Sequence, residues 1–405
     1  MATAGSIYGG QGSVGAISFN TVTIQGSGTV SHNSGSVNGG EATGGGSVTD
    51  NTVYIGENSS GNGAYTGTIQ SKVYGGSSLA PGASGDALRN RVIMSSGTVS
   101  GDIYGGATNT GNANNNTVAI SGGTVSGDIY GGYVNDTGSG SAINNIVSIS
   151  TSGATYNTIY GGWTGSSTGD LFTGNTLNLH TSSMTAANVY NFEKLNFYLP
   201  STLTASTTPL LTVTGTANLT NGAGNNTGSR SSIVNVGIDG ASSPLQVGEQ
   251  FVLIDAGTLV TNGLNSTANG QGMQGVTLKY EFDLVIDGQK LLAKFSKVGI
   301  NEQTKALSEG WLSGLALVTQ GADLIAGRGI AEAVNAARVA RESVSTGLAA
   351  FGTLSGGWSR YNTGSHVEMS SLSVLAGLSY GADLTPGHLT LGGFFEYGNG
   401  SYDTY

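Results

Sequence analysis

Five copies of an aliphatic-Tyr-Gly-Gly tetrad carry the side chains of this 405-residue chain whose type and spacing best suit chemistry. They stand at 7–10, 73–76, 103–106, 129–132 and 159–162, and weakened copies occur at 37–40 and 189–192. Recurring in the same place of each copy, Tyr8, Tyr74, Tyr104, Tyr130 and Tyr160 suit either a platform for stacking sugar rings or an internal ladder that sets register. The ladder is the expected role. Asp102 and Asp128, each two residues before a tyrosine, raise calcium as a ligand. The calcium-binding nonapeptide places its Asp after the glycines, and no such run occurs, so both are expected to be solvated strand starts. His32, His180, His366 and His388 are scattered and suggest no Ser-His-Asp triad. A lyase would need clustered acids and bases, yet Lys72, Arg89 and Arg91 are the only basic residues before Lys194. No catalytic, cofactor-binding or metal-ligating residue is assigned, no cofactor is expected, and no enzyme activity is expected within these residues.

The tetrads require an element that repeats. From each aliphatic to the next the steps are 30, 36, 30, 26, 30 and 30 residues, a period typical of a solenoid. A second element precedes each tetrad from the second onward: an Asn followed by alternating apolar residues, at Asn20, Asn51, Asn90, Asn116, Asn145 and Asn175. Such short alternation is a half-buried strand signal. A third, shorter element is centred on Val30, Ile69, Val99, Val125, Ala154 and Met184. Three strands per repeat predict an all-β chain built as a right-handed parallel β-helix. The Asn residues would stack into an amide ladder, and the Gly pair would let the chain leave the strand through a corner closed to Cβ atoms.

Composition agrees. The chain has 70 Gly, 5 Pro, no Cys and only 9% charged residues, against about 25% charged in ordinary domains. A net charge of −10 with 14 Lys+Arg argues against nucleic acid. No window is apolar for the 18 or more residues of a transmembrane helix. The first residues lack a basic segment and an apolar core, so no signal peptide is expected, and the array is already under way at Ile7.

The period fades between Phe192 and Phe295, while apolar runs at 195–199, 210–213, 233–238, 251–254 and 276–295 keep β character. Asp287-Gly288 marks a hairpin turn. This stretch suits a cap that shields the last turn. From Asn301, the spacing of Leu307, Trp311, Leu315, Val318, Ala322 and Ile325 predicts an amphipathic helix. Gly327-Arg328-Gly329 should break it before a second helix from Ile330 to about Thr346, roughly 25 Å long.

Beyond Leu348 the alternation sharpens. One face of 371–380 is Leu372, Val374, Ala376, Leu378 and Tyr380; the other is mainly Ser and Gly. The stretch 388–397 repeats this with Leu389, Leu391, Phe395 and Tyr397, and 348–358 fits with Leu348, Ala350, Leu354 and Trp358, although Phe351 spoils its polar face. Strands of about ten residues, apolar outward and polar inward, are the signature of a membrane β-barrel. The turn at 383–387 would be periplasmic and the connection at 362–367 extracellular. Three strands cannot close, so the chain is expected to be cut short downstream, as the array already under way at Ile7 without a capping repeat suggests upstream.

Gly-rich solenoid, cap, helix and barrel strands in this order resemble the autotransporters of Gram-negative bacteria, the type V secretion proteins. The strongest likeness spans about 280 to 405, in Phe-Gly-Thr-Leu-Ser-Gly-Gly-Trp-Ser-Arg-Tyr at 351–361, Leu-Ala-Gly-Leu at 375–378 and Gly-Phe-Phe-Glu-Tyr at 393–397. The solenoid resembles pertactin-like passengers at the level of fold. The resemblance implies four regions: passenger repeats at 1–199, a cap of autochaperone type at 200–299, a linker and pore helix at 300–347, and the first three barrel strands at 348–405. It implies an outer-membrane barrel that displays a structural or adhesive passenger at the cell surface. The implied partners are outer-membrane lipid, the barrel assembly machinery, the Sec pathway and a host or neighbouring-cell ligand. The alternative is the stalk of an enzyme passenger whose catalytic domain precedes residue 1. Relatives with protease activity carry a Gly-Asp-Ser-Gly turn, which is absent here. Self-cleaving relatives use an Asn-Asn pair in the pore helix, where this chain has Asn335-Ala336.

Overall fold

The two periodic signals become strands of different sheets, because each repeat must bury one side of two strands at once. The computed structural model describes residues 5–30, 35–135, 139–165, 169–181, 183–200, 207–221, 230–239, 246–262, 264, 270–274, 278–300, 302–343, 347–362 and 366–404. His32, Val276, Asn301, Thr346 and the connection at 363–365 lie outside them. The chain divides into two compact units, Met1–Gly299 and Ile300–Tyr405.

The first unit is a β-helix-like solenoid of parallel sheets. Ile7, Val37, Val73, Ile103, Ile129, Ile159 and Val189 pair in series, so the weakened copies hold the same register as the intact ones. The unequal steps are absorbed in the loops. The Asn-led segments form an eight-stranded sheet in which Val22, Val53, Val92, Val118, Val147, Leu177, Leu195 and Val234 stack in one column. All are buried, and each such side chain contributes roughly 1.5–3 kcal/mol relative to exposure.

Each early turn has four strands where the sequence predicts three. Ile17–Ser18, Val48–Thr49, Ala87–Leu88 and Ala113–Asn114 build an additional sheet of two-residue strands. Each of these strands ends beside a left-handed corner. Phe19, Asp50, Arg89, Asn115 and Asn144 have φ of 59, 58, 56, 60 and 57°, and each directly precedes a ladder Asn. The corner is therefore made by the residue before Asn. The Gly pair serves a different purpose, since it lies within the strand. A Cβ on Gly105 would stand 2.5 Å from the carbonyl oxygen of Gly131, and one on Gly106 would stand 2.5 Å from Oδ1 of Asn116. The glycines make room for the next turn and for the amide ladder.

Beyond Phe192 the solenoid continues through Lys194–Pro200, Leu211–Asn218 and Ile233–Asp239. Gln250–Val260 then pairs antiparallel with Lys290–Ile300, and Leu278–Asp287 precedes the latter across the Asp287-Gly288 turn, with Gly288 at φ 61°. Reversing strand direction here ends the parallel stack.

In the second unit, α1 (Glu302–Asp323) runs into a six-residue π-helical segment, Leu324–Gly329, and then α2 (Ile330–Ser343). The Gly-Arg-Gly run widens the helix there without breaking it, as wide turns often do where geometry must shift. The predicted apolar stripe does not pack: Trp311, Leu315 and Val318 are exposed, while Ser313, Gly321 and Leu324 are buried. Three antiparallel strands follow, β1 (Leu348–Asn362), β2 (His366–Leu384) and β3 (Gly387–Thr404), in the order β1-β2-β3. They exceed the predicted lengths because the Ser- and Gly-rich face hides alternation near their ends. They form an open sheet, and no barrel closes among the described residues.

Candidate functional site

The tyrosine row is a ladder. Tyr74, Tyr104, Tyr130, Tyr160 and Tyr190 stack at centroid separations of 4.6, 4.7, 4.9 and 5.5 Å. Ring faces inside the row cover one another, so they offer no platform to a sugar. Tyr133 packs edge-on against Tyr104 and Tyr130, and Trp163 tilts against Tyr160. Burial pushes the phenols of Tyr74, Tyr104 and Tyr130 far above their ordinary range, helped by Asp102 and Asp128 nearby. Tyr160 is pushed up to about 12, again chiefly by burial.

Asp102 and Asp128 do more than begin strands in water. The hydroxyls of Tyr104 and Tyr130 donate to them at 2.9 and 3.1 Å. Oδ1 of Asp102 accepts the backbone N–H of Asp128 at 3.0 Å, and Oδ1 of Asp128 accepts that of Thr158 at 2.9 Å. Their oxygens thus bridge turns. Among the described residues no group of three His, Asp or Glu side chains is arranged to hold a metal. His180 stacks on Tyr198 at 3.9 Å with Nδ1 3.2 Å from Asp239, and His388 Nδ1 lies 2.7 Å from Asp383. Asn335 accepts a hydrogen bond from Arg338 at 3.0 Å.

The predicted amide ladder forms from Asn20 to Asn175. Each Asn gives its backbone N–H and its Nδ2 to Oδ1 of the Asn one turn on, at 2.8–3.2 Å. The sequence reading missed a second, half-buried amide row, in which Asn235 donates to Asn196, Asn196 to Asn178 and Asn178 to Ser148. Its signal in the ladder repeats was confined to Ser148 and Asn178, three positions after Asn145 and Asn175, since Ile93 and Ala119 hold that place in earlier turns.

In the second unit the sheet has its polarity reversed relative to a water-soluble domain. Register places Leu354, Val374 and Tyr397 in one row, and Leu348, Tyr380 and Leu391 in another. With Trp358, Leu372, Leu378, Leu389 and Phe395 they form an apolar face whose members are 39–72% exposed. The opposite face carries Ser355, Ser373 and Gly398 in one row and Thr353, Leu375 and Glu396 in the next. The helices pack there. Gly329 lies against Leu375, Gly321 against Glu396, and Ser371 Oγ donates to Gln320. Phe351, the outlier of its face, lies over Gly377 beside Phe394. A cavity of about 780 Å³ lies between α1 and β1, lined by Gln320, Asp323, Arg328, Ser355 and Tyr361 among others. Gln320 Nε2, Ser373 Oγ and Ser379 Oγ are buried without a protein hydrogen-bond partner.

From Leu348 to Trp358 the apolar face runs about 33 Å along the strand at ~3.3 Å per residue. Tilted by 35–45°, that length spans about 25 Å, the height of the apolar band of an outer-membrane barrel. No family model, curated protein or solved structure matches this chain.

Proposed function

We propose that the chain is part of an autotransporter-type surface protein, in which a membrane barrel anchors a β-helix passenger of structural or adhesive role at the outer surface of a cell. The observation that carries this reading is the reversed sheet: large apolar side chains outward, Ser, Thr and Gly inward, with a helix laid along the inner face. A soluble sheet of this size covered by a helix buries its apolar face beneath it. Here burying the small polar face is favourable only when lipid covers the other. The unpaired inner hydroxyls suit a lumen that admits water. The solenoid supports the display role, since stacked turns held by amide and tyrosine ladders make a stiff rod that needs no cofactor. A three-stranded sheet leaves its β1 and β3 edges open, and lipid tolerates no open edge. Insertion therefore requires further strands on both.

Cell fractionation followed by protease shaving of intact cells tests the reading. The 348–404 region should partition with the outer membrane and resist protease, while solenoid fragments are released. Solenoid that survives shaving intact, or a chain recovered wholly in the soluble fraction, overturns it.

A further inference from the structure

One ring is missing from the tyrosine row. Register places Asn38 in that row, between Tyr8 and Tyr74. A cavity of about 250 Å³ lies on these strands, lined by Ser36, Glu41, Lys72, Tyr74, Ser77 and Leu79 with their neighbours. Ser36 pairs with Lys72, Asn38 with Tyr74 and Glu41 with Ser77. The cavity therefore follows the two strands, with an ammonium and a hydroxyl at one end and a carboxylate and a hydroxyl at the other. Tyr74 ends the stack among the described residues, and with 8% of its surface exposed it turns only a small part of its ringless face to the cavity.

Behind the cavity, the strand is unfinished in hydrogen bonding as well. Asn38 is fully buried, its Nδ2 donates to Ser36 Oγ at 2.7 Å, and its Oδ1 has no partner. The corner asparagines from Asn51 to Asn175, by contrast, each offer Oδ1 to the turn before. Glu41 accepts from Gln11 at 2.6 Å through Oε2 alone. Lys72 stands 3.4 Å from Asp102 and is half exposed.

We propose that this cavity binds a single pyranose ring of a glycan. The ring's C–H face suits the end of an aromatic stack. Its hydroxyls both donate, to Glu41, and accept, from Lys72, Ser36 and Ser77. A purely anionic ligand would meet the like charge of Glu41 at one end, and a purely cationic one that of Lys72 at the other. The volume is below the roughly 300–1,000 Å³ of drug-sized sites, so one ring fits where two would not. The site stands on the isolated chain in solution and does not depend on surface display.

Saturation-transfer NMR on the full chain, with the methyl glycosides of glucose, galactose, mannose and N-acetylglucosamine, tests it. Transfer to at least one pyranose at millimolar concentration is expected. Glu41→Ala should weaken binding about tenfold with the thermal midpoint unchanged. Asn38→Tyr should fill the gap, abolish transfer and raise the thermal midpoint. Absence of transfer from all four glycosides overturns the proposal, as does transfer that Glu41→Ala leaves intact. If Asn38→Tyr fails to fold, the Glu41 variant still decides.

Discussion

Asn116 gives both its backbone N–H, at 2.9 Å, and its Nδ2, at 3.2 Å, to the Oδ1 of Asn145, while its Nδ2 also donates to the carbonyl of Ala87 at 2.9 Å. Its own Oδ1 receives the same pair of bonds from Asn90. One buried carboxamide thus ties three turns together. Asn116→Ala strands the backbone N–H of Asn90 and the carbonyl of Ala87. At about 1–3 kcal/mol for each buried group left unmet, the variant should lose about 2–4 kcal/mol in urea unfolding. Asn178→Ala, in the half-buried outer row, should lose less than about 1 kcal/mol. Equal losses would show that the inner ladder is not the special one.

The glycines allow a second contrast. Gly106→Ala drives a Cβ into Asn116 and should cost about 3 kcal/mol, at the upper end for overpacking. Gly28→Ala meets nothing within 4 Å and should be neutral or slightly stabilising. The thermal midpoints of the two variants check this.

At high pH the tyrosine row should become a liability. A phenol free in the unfolded chain ionises near ~10, while Tyr160 in the fold is pushed up to about 12 and Tyr130 and Tyr104 higher. The folded chain therefore holds protons that the unfolded chain gives up, so stability is intact below pH ~10 and falls as pH rises toward 12. Urea midpoints measured at pH 8, 10 and 11.5 should decline slightly over the first interval and steeply over the last. A flat profile would count against burial of these phenols.

Phe19 has φ 59° and is 79% exposed. A side chain in the left-handed region costs roughly 1–2 kcal/mol, which glycine avoids. Phe19→Gly should stabilise the solenoid by about 1 kcal/mol, read as a higher urea midpoint.

The apolar face can be probed in brominated detergent. Trp358, on that face, should be quenched and Trp163, in the solenoid, should not. Leu378→Arg should weaken detergent association, consistent with the ~2–4 kcal/mol penalty for Arg at mid-bilayer. Ser355→Arg, which enters the polar cavity beside α1, should leave it unchanged. An equal loss in both variants would remove the distinction between the two faces.

Much of this was legible in the sequence. Tyr-Gly-Gly and the led Asn gave register and ladders because stacked turns place like residues on like. The strands of the fourth sheet, such as Ala87–Leu88, escaped notice because, unlike the equally short Thr98–Val99 and Thr124–Val125, they carry no repeated Gly-Thr-Val. Trp311, Leu315 and Val318 were correctly placed on one helix stripe, but periodicity does not say which stripe packs; the sheet's reversed polarity decides that. Asn38 was visible as a weak copy, whereas the cavity beside it depends on side chains from two strands and a loop.

The amide ladder also has a direction. Every Asn-to-Asn bond in it runs from one turn to the Oδ1 of the next, while the Nδ2 groups of Asn51, Asn90 and Asn116 also reach back to a carbonyl of the turn before. The ladder is thus polar, presenting the side-chain oxygen of Asn20 at one end and closing at Asn175 on carbonyls of its own and neighbouring turns.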